Sequence, residues 1–381
     1  MPNSSKENQV LGGAGLRGQS AGVTSLCTVG KSGTGLTYRG YDISDLANNA
    51  QFEEVAHLLL RGHLPNQNEL DQYKTHLTTL RGLPEALKQS LELLPASAHP
   101  MDVMRTGCSV LGNLDQEKDF SEQLAATERM LALFPAIICY WYRFSHDGIR
   151  IETEDHSEDC VGGYFLKMLT GKTPTELHKK VMHCSLILYA EHEFNASTFA
   201  ARVCASTLSD IHSCVTAAIG TLRGPLHGGA NEAAMDMIQN WSTPDEAEAN
   251  ILKMLDNKDK IMGFGHAIYR ESDPRNALIK RWSKTLSESV GDNHLYDVSE
   301  RVESVMKREK GLFCNADFFH ASAYHFMDIP TKLFTPIFVM SRLTGWTAHV
   351  FEQRAHNRII RPSADYAGPE HQDWLPIEQR G

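Results

Sequence analysis

The chain has 381 residues and a formal net charge of −10, which excludes nucleic-acid binding through bulk positive charge but leaves room for a local basic pocket. That length exceeds one simple core, so two or three domains are expected. The eight cysteines are scattered with no C-x-x-C pair and read as small buried hydrophobes of a reducing compartment, not as a disulfide framework.

Residues 1–20 are polar and glycine-rich, with neither a basic-then-apolar leader nor an Arg-rich presequence. VTSLCTVG (23–30) and LTYRGYDI (36–43), joined by KSGTG, predict one small β-hairpin. The helical period then takes over. In LDQYKTHLTTL, residues Leu70, Tyr73, Leu77 and Leu80 share one helical stripe. The apolar run MLALFPAIICYWY (130–142) is too short to span a bilayer and contains Pro135, so the protein is expected to be cytoplasmic. Polar breaks near 113–123, 146–160 and 240–250 are too short for flexible tethers, so a second domain is expected as an insertion. In DVSERVESVMKREKG, residues Val298, Val302, Val305 and Met306 form another stripe, ended by Lys310 and Gly311. Strand-like alternation is scarce beyond the hairpin. The fold is expected to be mainly α.

Several motifs begin and fail. GGAGLRG places Gly13, Gly15 and Gly18 in a dinucleotide-loop spacing, but no strand precedes it. GKS and GKT lack the upstream glycine of a phosphate loop, where Ser25 and Leu166 stand instead. HEFNA starts like a zinc helix at His192, but Ala196 replaces the second histidine. The acidic run around His156 reads as a solvated loop.

Three positions survive. His227 in GPLHGGAN sits where a helix faced by Ala230, Ala233, Ala234, Met237 and Ile238 begins. A positive helix end disfavours imidazolium, so the ring is expected to stay neutral and donate one N–H bond, or else merely to cap the turn. The adjacent glycines let other groups approach the backbone closely. His266 in GFGHAIYRESDPRNALIK is also framed by glycine and is followed by Arg270, Asp273 and Arg275; it reads as a ligand loop or as a charged surface turn. Asp317 in CNADFFHASAYHFM is costly to bury unpaired, so it either caps a helix or is held for proton transfer. Arg275, Arg342 and Arg361 each read singly as a salt-bridge residue; together they suit a small dicarboxylate.

GPLHGGAN, GFGHAIYR-x-x-DPR, N-x-DFF and SRLTGW…RIIRPSADY, in that order, resemble the citrate synthase superfamily over nearly the whole chain. LCTVGKSG, YRGYDI, FEEVAHLLL, HPMDVMRTG and YAEHEFNASTF are similar to its bacterial 2-methylcitrate synthase branch. The resemblance implies a two-domain helical homodimer. A large domain would run over 1–225 and 335–381, with a small domain inserted at 226–334 that closes over the substrates. It further implies that an acyl-CoA is condensed with oxaloacetate and its thioester hydrolysed. Asp317 would be the base, His227 the donor to the thioester oxygen and His266 the donor to the ketone. His192, Arg275, Arg342 and Arg361 would hold oxaloacetate, with Arg361 reaching the neighbouring subunit's site. Lys260, Ile261, Met262, Gly263, Phe264 and Arg270 would meet CoA. No metal or redox cofactor is expected. Ala316, where relatives carry a larger apolar residue, leaves both propionyl-CoA and acetyl-CoA open as substrates. A rival from another class is a non-catalytic helical binding protein.

Overall fold

The computed structural model describes residues 19–30 and 35–380, so the hairpin loop KSGT and the glycine motif GGAGLRG lie outside the described residues. The chain divides into two compact units, one spanning Thr24–Ile359 and the other made of Met1–Val23 and Ile360–Gly381. The described part of the second unit is irregular apart from a single 3-10 turn at Ile377–Gln379.

The first unit opens with three antiparallel strands: β1 (Cys27–Val29), β2 (Leu36–Tyr38) and β3 (Tyr41–Asp42). One hairpin was expected; the chain makes a second. Arg39 and Gly40, at φ 45° and 90°, form a two-residue turn that pairs Tyr38 with Tyr41. Two left-handed residues in succession match the twist of a tight hairpin.

Sixteen helices follow among the described residues: α1 (Ile43–Asn49), α2 (Phe52–Arg61), α3 (Gln67–Thr79), α4 (Glu85–Glu92), α5 (Pro100–Leu114), α6 (Gln123–Asp147), α7 (Val161–Thr170), α8 (Glu176–Tyr189), α9 (Ala196–Ser206), α10 (Ile211–Leu222), α11 (Ala230–Ile238), α12 (Pro244–Asp256), α13 (Asn276–Val290), α14 (His294–Lys310), α15 (Ala316–Phe326) and α16 (Phe334–Ala355). Helix α3 buries Leu70, Tyr73 and Leu77, and α14 buries Val298, Val302, Val305 and Met306 before Gly311 ends it, as the stripes require. The polar stretch 240–250 is not all loop. Thr243 caps α12, Pro244 occupies its first turn and Asp245 and Glu246 suit its positive end.

Helices α6 and α16 are the axis of the core. α6 is long and apolar enough to cross a membrane, yet most of that stretch is packed inside the unit, and Pro135 sits within it. α16 is apolar on nearly every side and buried almost throughout, against α9, α6, α8 and α10. A second group, α11 to α15, packs mainly on itself, α13 and α11 against α15 and α12 against α14. The cysteines are all free, seven of them buried and Cys204 half-buried.

Candidate active site

A cavity of about 620 Å³ lies where the end of α8, the turns before α9, α11 and α13, and the starts of α15 and α16 converge. His192, His227, His266, Arg275, Asp317 and Arg342 all line it, as do Lys260, Ile261, Met262, Gly263 and Phe264. Arg270 is exposed and outside that lining. Arg361 is exposed and belongs to the other compact unit.

Glycine places His227. The His227 N–H bonds to the Gly224 carbonyl and the Gly228 N–H to that of Leu222. A Cβ on Gly228 would lie 2.3 Å from the Leu222 oxygen, so the turn itself requires this glycine. Helix α11 starts at Ala230 and buries Asn231, Ala234, Met235 and Ile238. Its inner face is thus turned by about one residue from the expected one, and Ala230 faces the cavity.

His227 Nε2 accepts the Ser197 backbone N–H at 3.2 Å and lies 2.8 Å from the Ser197 hydroxyl. A backbone N–H can only donate, so the ring proton sits on Nδ1. Burial, with the Arg342 charge adding to it, pulls this imidazole down to about 4. The ring is neutral at physiological pH, with desolvation the leading cause. Ser197 is held in turn by Trp346 Nε1–H, which donates to its hydroxyl at 3.0 Å; with Nε2 of His227 unprotonated, the single hydroxyl hydrogen points to that nitrogen, and Asn195 Oδ1 lies 2.8 Å from the same oxygen.

His266 is fixed by the same logic with the nitrogens reversed. Its Nδ1 accepts the Ile268 and Tyr269 N–H groups at 3.1 and 3.3 Å, which puts its proton on Nε2. Burial and the neighbouring Arg275 pull it down to about 4. His192 is buried, its ring centre 5.1 Å from that of His266 and its Nε2 3.1 Å from the Tyr269 hydroxyl. Burial and Arg275 pull it well below its ordinary range.

The loop carrying His266 is tied to the start of α15. Phe264 bridges to Cys314, Gly265 N–H bonds to the Phe313 carbonyl at 2.8 Å, and Asn315 N–H to that of Gly263 at 3.0 Å. Gly263 has φ 87°, and a Cβ there would press on Phe318 at 2.9 Å. Asn315, not Asp317, caps α15 by accepting the Asp317 N–H. That leaves the Asp317 carboxylate in the first turn, on the cavity, accepting a 2.7 Å bond from the Tyr189 hydroxyl. Burial raises this carboxyl above the usual range, with Asp273 adding, while Tyr189, Arg275 and Arg342 pull the other way.

The two buried arginines differ. Arg275 holds Asp273 in a two-pronged pair, Nε–Oδ1 2.9 Å and Nη2–Oδ2 2.7 Å, and Asp273 also accepts the Ala316 N–H at 3.0 Å. Arg342 donates from Nε to the Tyr189 carbonyl at 2.5 Å and stacks 4.6 Å above Phe338. Among the described residues no carboxylate lies within ion-pair distance of it. The charge that stabilises it most is Glu191, which bonds to His349 at 2.7 Å and only partly offsets the effect of burial on Arg342. A buried, incompletely compensated guanidinium facing a cavity is a receptor for an anion.

Sequence reasoning missed Ser197, Tyr189 and Tyr269, and named Asp273 only as part of the charged loop after His266. Ser197 and Tyr189 flank His192 in LYAEHEFNAS, but nothing in that string shows what they reach.

The model for the citrate synthase C-terminal domain matches residues 15–363. The chain belongs to the citrate synthase family. It is a condensing acyltransferase. A 2-methylcitrate synthase of Shewanella oneidensis is 67% identical over 97% of this chain and 98% of its own. Citrate synthase 2 of Bacillus subtilis is 44% identical over 91% and 93%. Among solved structures, the citrate synthase of Thermoplasma acidophilum in ternary complex with carboxymethyl coenzyme A and oxaloacetate superposes with a TM-score of 0.89 at 30% identity, covering 96% of this chain and 98% of that one.

Proposed function

We propose that the chain is a 2-methylcitrate synthase that joins propionyl-CoA to oxaloacetate and hydrolyses the thioester, releasing 2-methylcitrate and CoA. The observation that carries this reading is the cavity itself. It presents the Asp317 carboxylate, two neutral imidazoles with assigned N–H groups and the Arg342 guanidinium, which has no carboxylate within ion-pair distance among the described residues.

The α C–H of a thioester is too weak an acid for a carboxylate alone. Asp317 removes the proton while Nδ1–H of His227 donates to the thioester oxygen, so the enolate is stabilised as it forms. The enolate carbon attacks the ketone of oxaloacetate, and His266, through Nε2–H, supplies the proton to the new alkoxide. Water then cleaves the acyl–sulfur bond. Arg275, Arg342 and His192 hold oxaloacetate, Arg361 completes the site of a neighbouring subunit in a homodimer, and the 260–264 backbone with Arg270 meets CoA. The segment 226–334 closes over both substrates and excludes water until the C–C bond exists. No resident cofactor enters these steps.

Propionyl-CoA is favoured over acetyl-CoA by the likeness to the Shewanella oneidensis protein, and the small Ala316 side chain on the cavity leaves room for the extra methyl. The alternative is a citrate synthase using mainly acetyl-CoA. Thiol release with oxaloacetate and each acyl-CoA, compared by kcat/KM, decides between them. A higher value with acetyl-CoA overturns the proposal.

A further inference from the structure

We propose that the Tyr189 hydroxyl is a positioning group for the Asp317 carboxylate, engaging Oδ1 so that Oδ2 alone is left to take the substrate proton. This rests on Asp317 being the base.

Three observations carry it. First, the Tyr189 hydroxyl is the hydrogen-bond donor to this carboxylate among the described residues, at 2.7 Å. Second, the phenol cannot swing away: it is 1% exposed, with the ring centres of His320 and Phe338 each 4.3 Å from its own. Third, the same residue's carbonyl accepts from Arg342 at 2.5 Å, so one residue at the end of α8 sets both the carboxylate and the free guanidinium. A carboxylate with two equivalent oxygens could rotate; one with Oδ1 engaged presents a fixed lone pair. A donor to the ionised form also offsets part of the cost of burying it.

The charged and titratable groups around Asp317 are Tyr189 from α8, Asp273, Arg275 and His266 from the loop before α13, His227 from the turn before α11, Arg342 from α16, and His320 and Tyr324 on its own helix. Of these, Tyr189 is the one that both donates to the carboxylate and can be altered by a single oxygen atom.

Tyr189→Phe keeps the ring and removes the donor. Losing a bond to the charged form should move the acid limb of kcat/KM for the acyl-CoA up by about one pH unit. KM for oxaloacetate should stay within about twofold, because the carbonyl to Arg342 is retained. Replacing Tyr189 by 3-fluorotyrosine, a stronger donor, should move the limb down, and this measurement decides if Tyr189→Phe does not fold. A limb unmoved in the folded variants, or a rate loss equal at every pH, overturns the inference. Asp317→Ala separates the two readings: retained turnover there sinks the base itself, whereas an inactive Asp317→Ala beside an unmoved Tyr189→Phe limb sinks the tyrosine's role alone.

Discussion

Replacing Arg342 by methionine should cost activity without costing stability. The guanidinium is 2% exposed, and its partners are one carbonyl and one aromatic face. Desolvating an ion costs several kcal/mol even after relaxation, and here Glu191, outside ion-pair distance, returns only part of it. Methionine fills similar volume and gives up a hydrogen bond worth ~1 kcal/mol together with a stacking contact of similar size. The melting temperature should therefore hold or rise by up to about 5 °C, since each kcal/mol moves a protein of this size by roughly 2 °C. Binding moves oppositely. A charge-assisted contact to a carboxylate is worth about 1.5–3 kcal/mol, so kcat/KM for oxaloacetate should fall by at least ~10-fold, with KM for the acyl-CoA little changed. Thermal melts with and without oxaloacetate add a check. Ligand at ~100 times its Kd stabilises wild type by ≈ 2.7 kcal/mol, and the same concentration should stabilise the variant by only about 0.3–1.3 kcal/mol. A variant that melts more than about 5 °C lower, with oxaloacetate kinetics and protection intact, would show that Arg342 is structural and refute the reasoning.

Ser197→Ala keeps the backbone N–H that fixes the His227 tautomer but leaves Trp346 Nε1–H without its acceptor. Urea unfolding should show a loss of ~1–3 kcal/mol while kcat falls by about tenfold or less. Gly263→Ala forces a side chain into φ 87° against Phe318, so it should destabilise by ~1–3 kcal/mol and lower kcat by disturbing the loop that carries His266. His227 and His266 are both depressed to about 4 in the fold, so the unfolded chain binds their protons first as pH falls. Their contribution to stability is present above about 6.5 and is lost on going down toward 4, so a His227→Gln, His266→Gln double variant should show a shallower fall in melting temperature across that window.

Local rules reached far into this fold. The stripes of α3 and α14 are one-dimensional signals, and they mark the buried faces. The second hairpin escaped because its turn, Arg39-Gly40, lacks the usual asparagine or aspartate before glycine, and a two-residue strand carries too little pattern. The inner face of α11 was misjudged because a run of alanines fits several stripes. At the site, His227, His266, Asp317 and Arg342 were legible because each sets a polar group among glycines or apolar neighbours, where its cost demands a reason. Ser197 and Tyr189 were not, since their importance lies in partners 30 and 128 residues away. The neutrality of His227 was expected from a helix end; burial and Arg342 also favour it, and both are tertiary facts.

The account stands on the Asp317 carboxylate taking the α-proton of a short acyl-CoA. Thiol release from propionyl-CoA and oxaloacetate, measured side by side for wild type and a folded Asp317→Ala protein, tests that most directly. The wild type should turn over and the variant should be slower by ~10²–10⁴-fold; a variant turning over near the wild-type rate contradicts it.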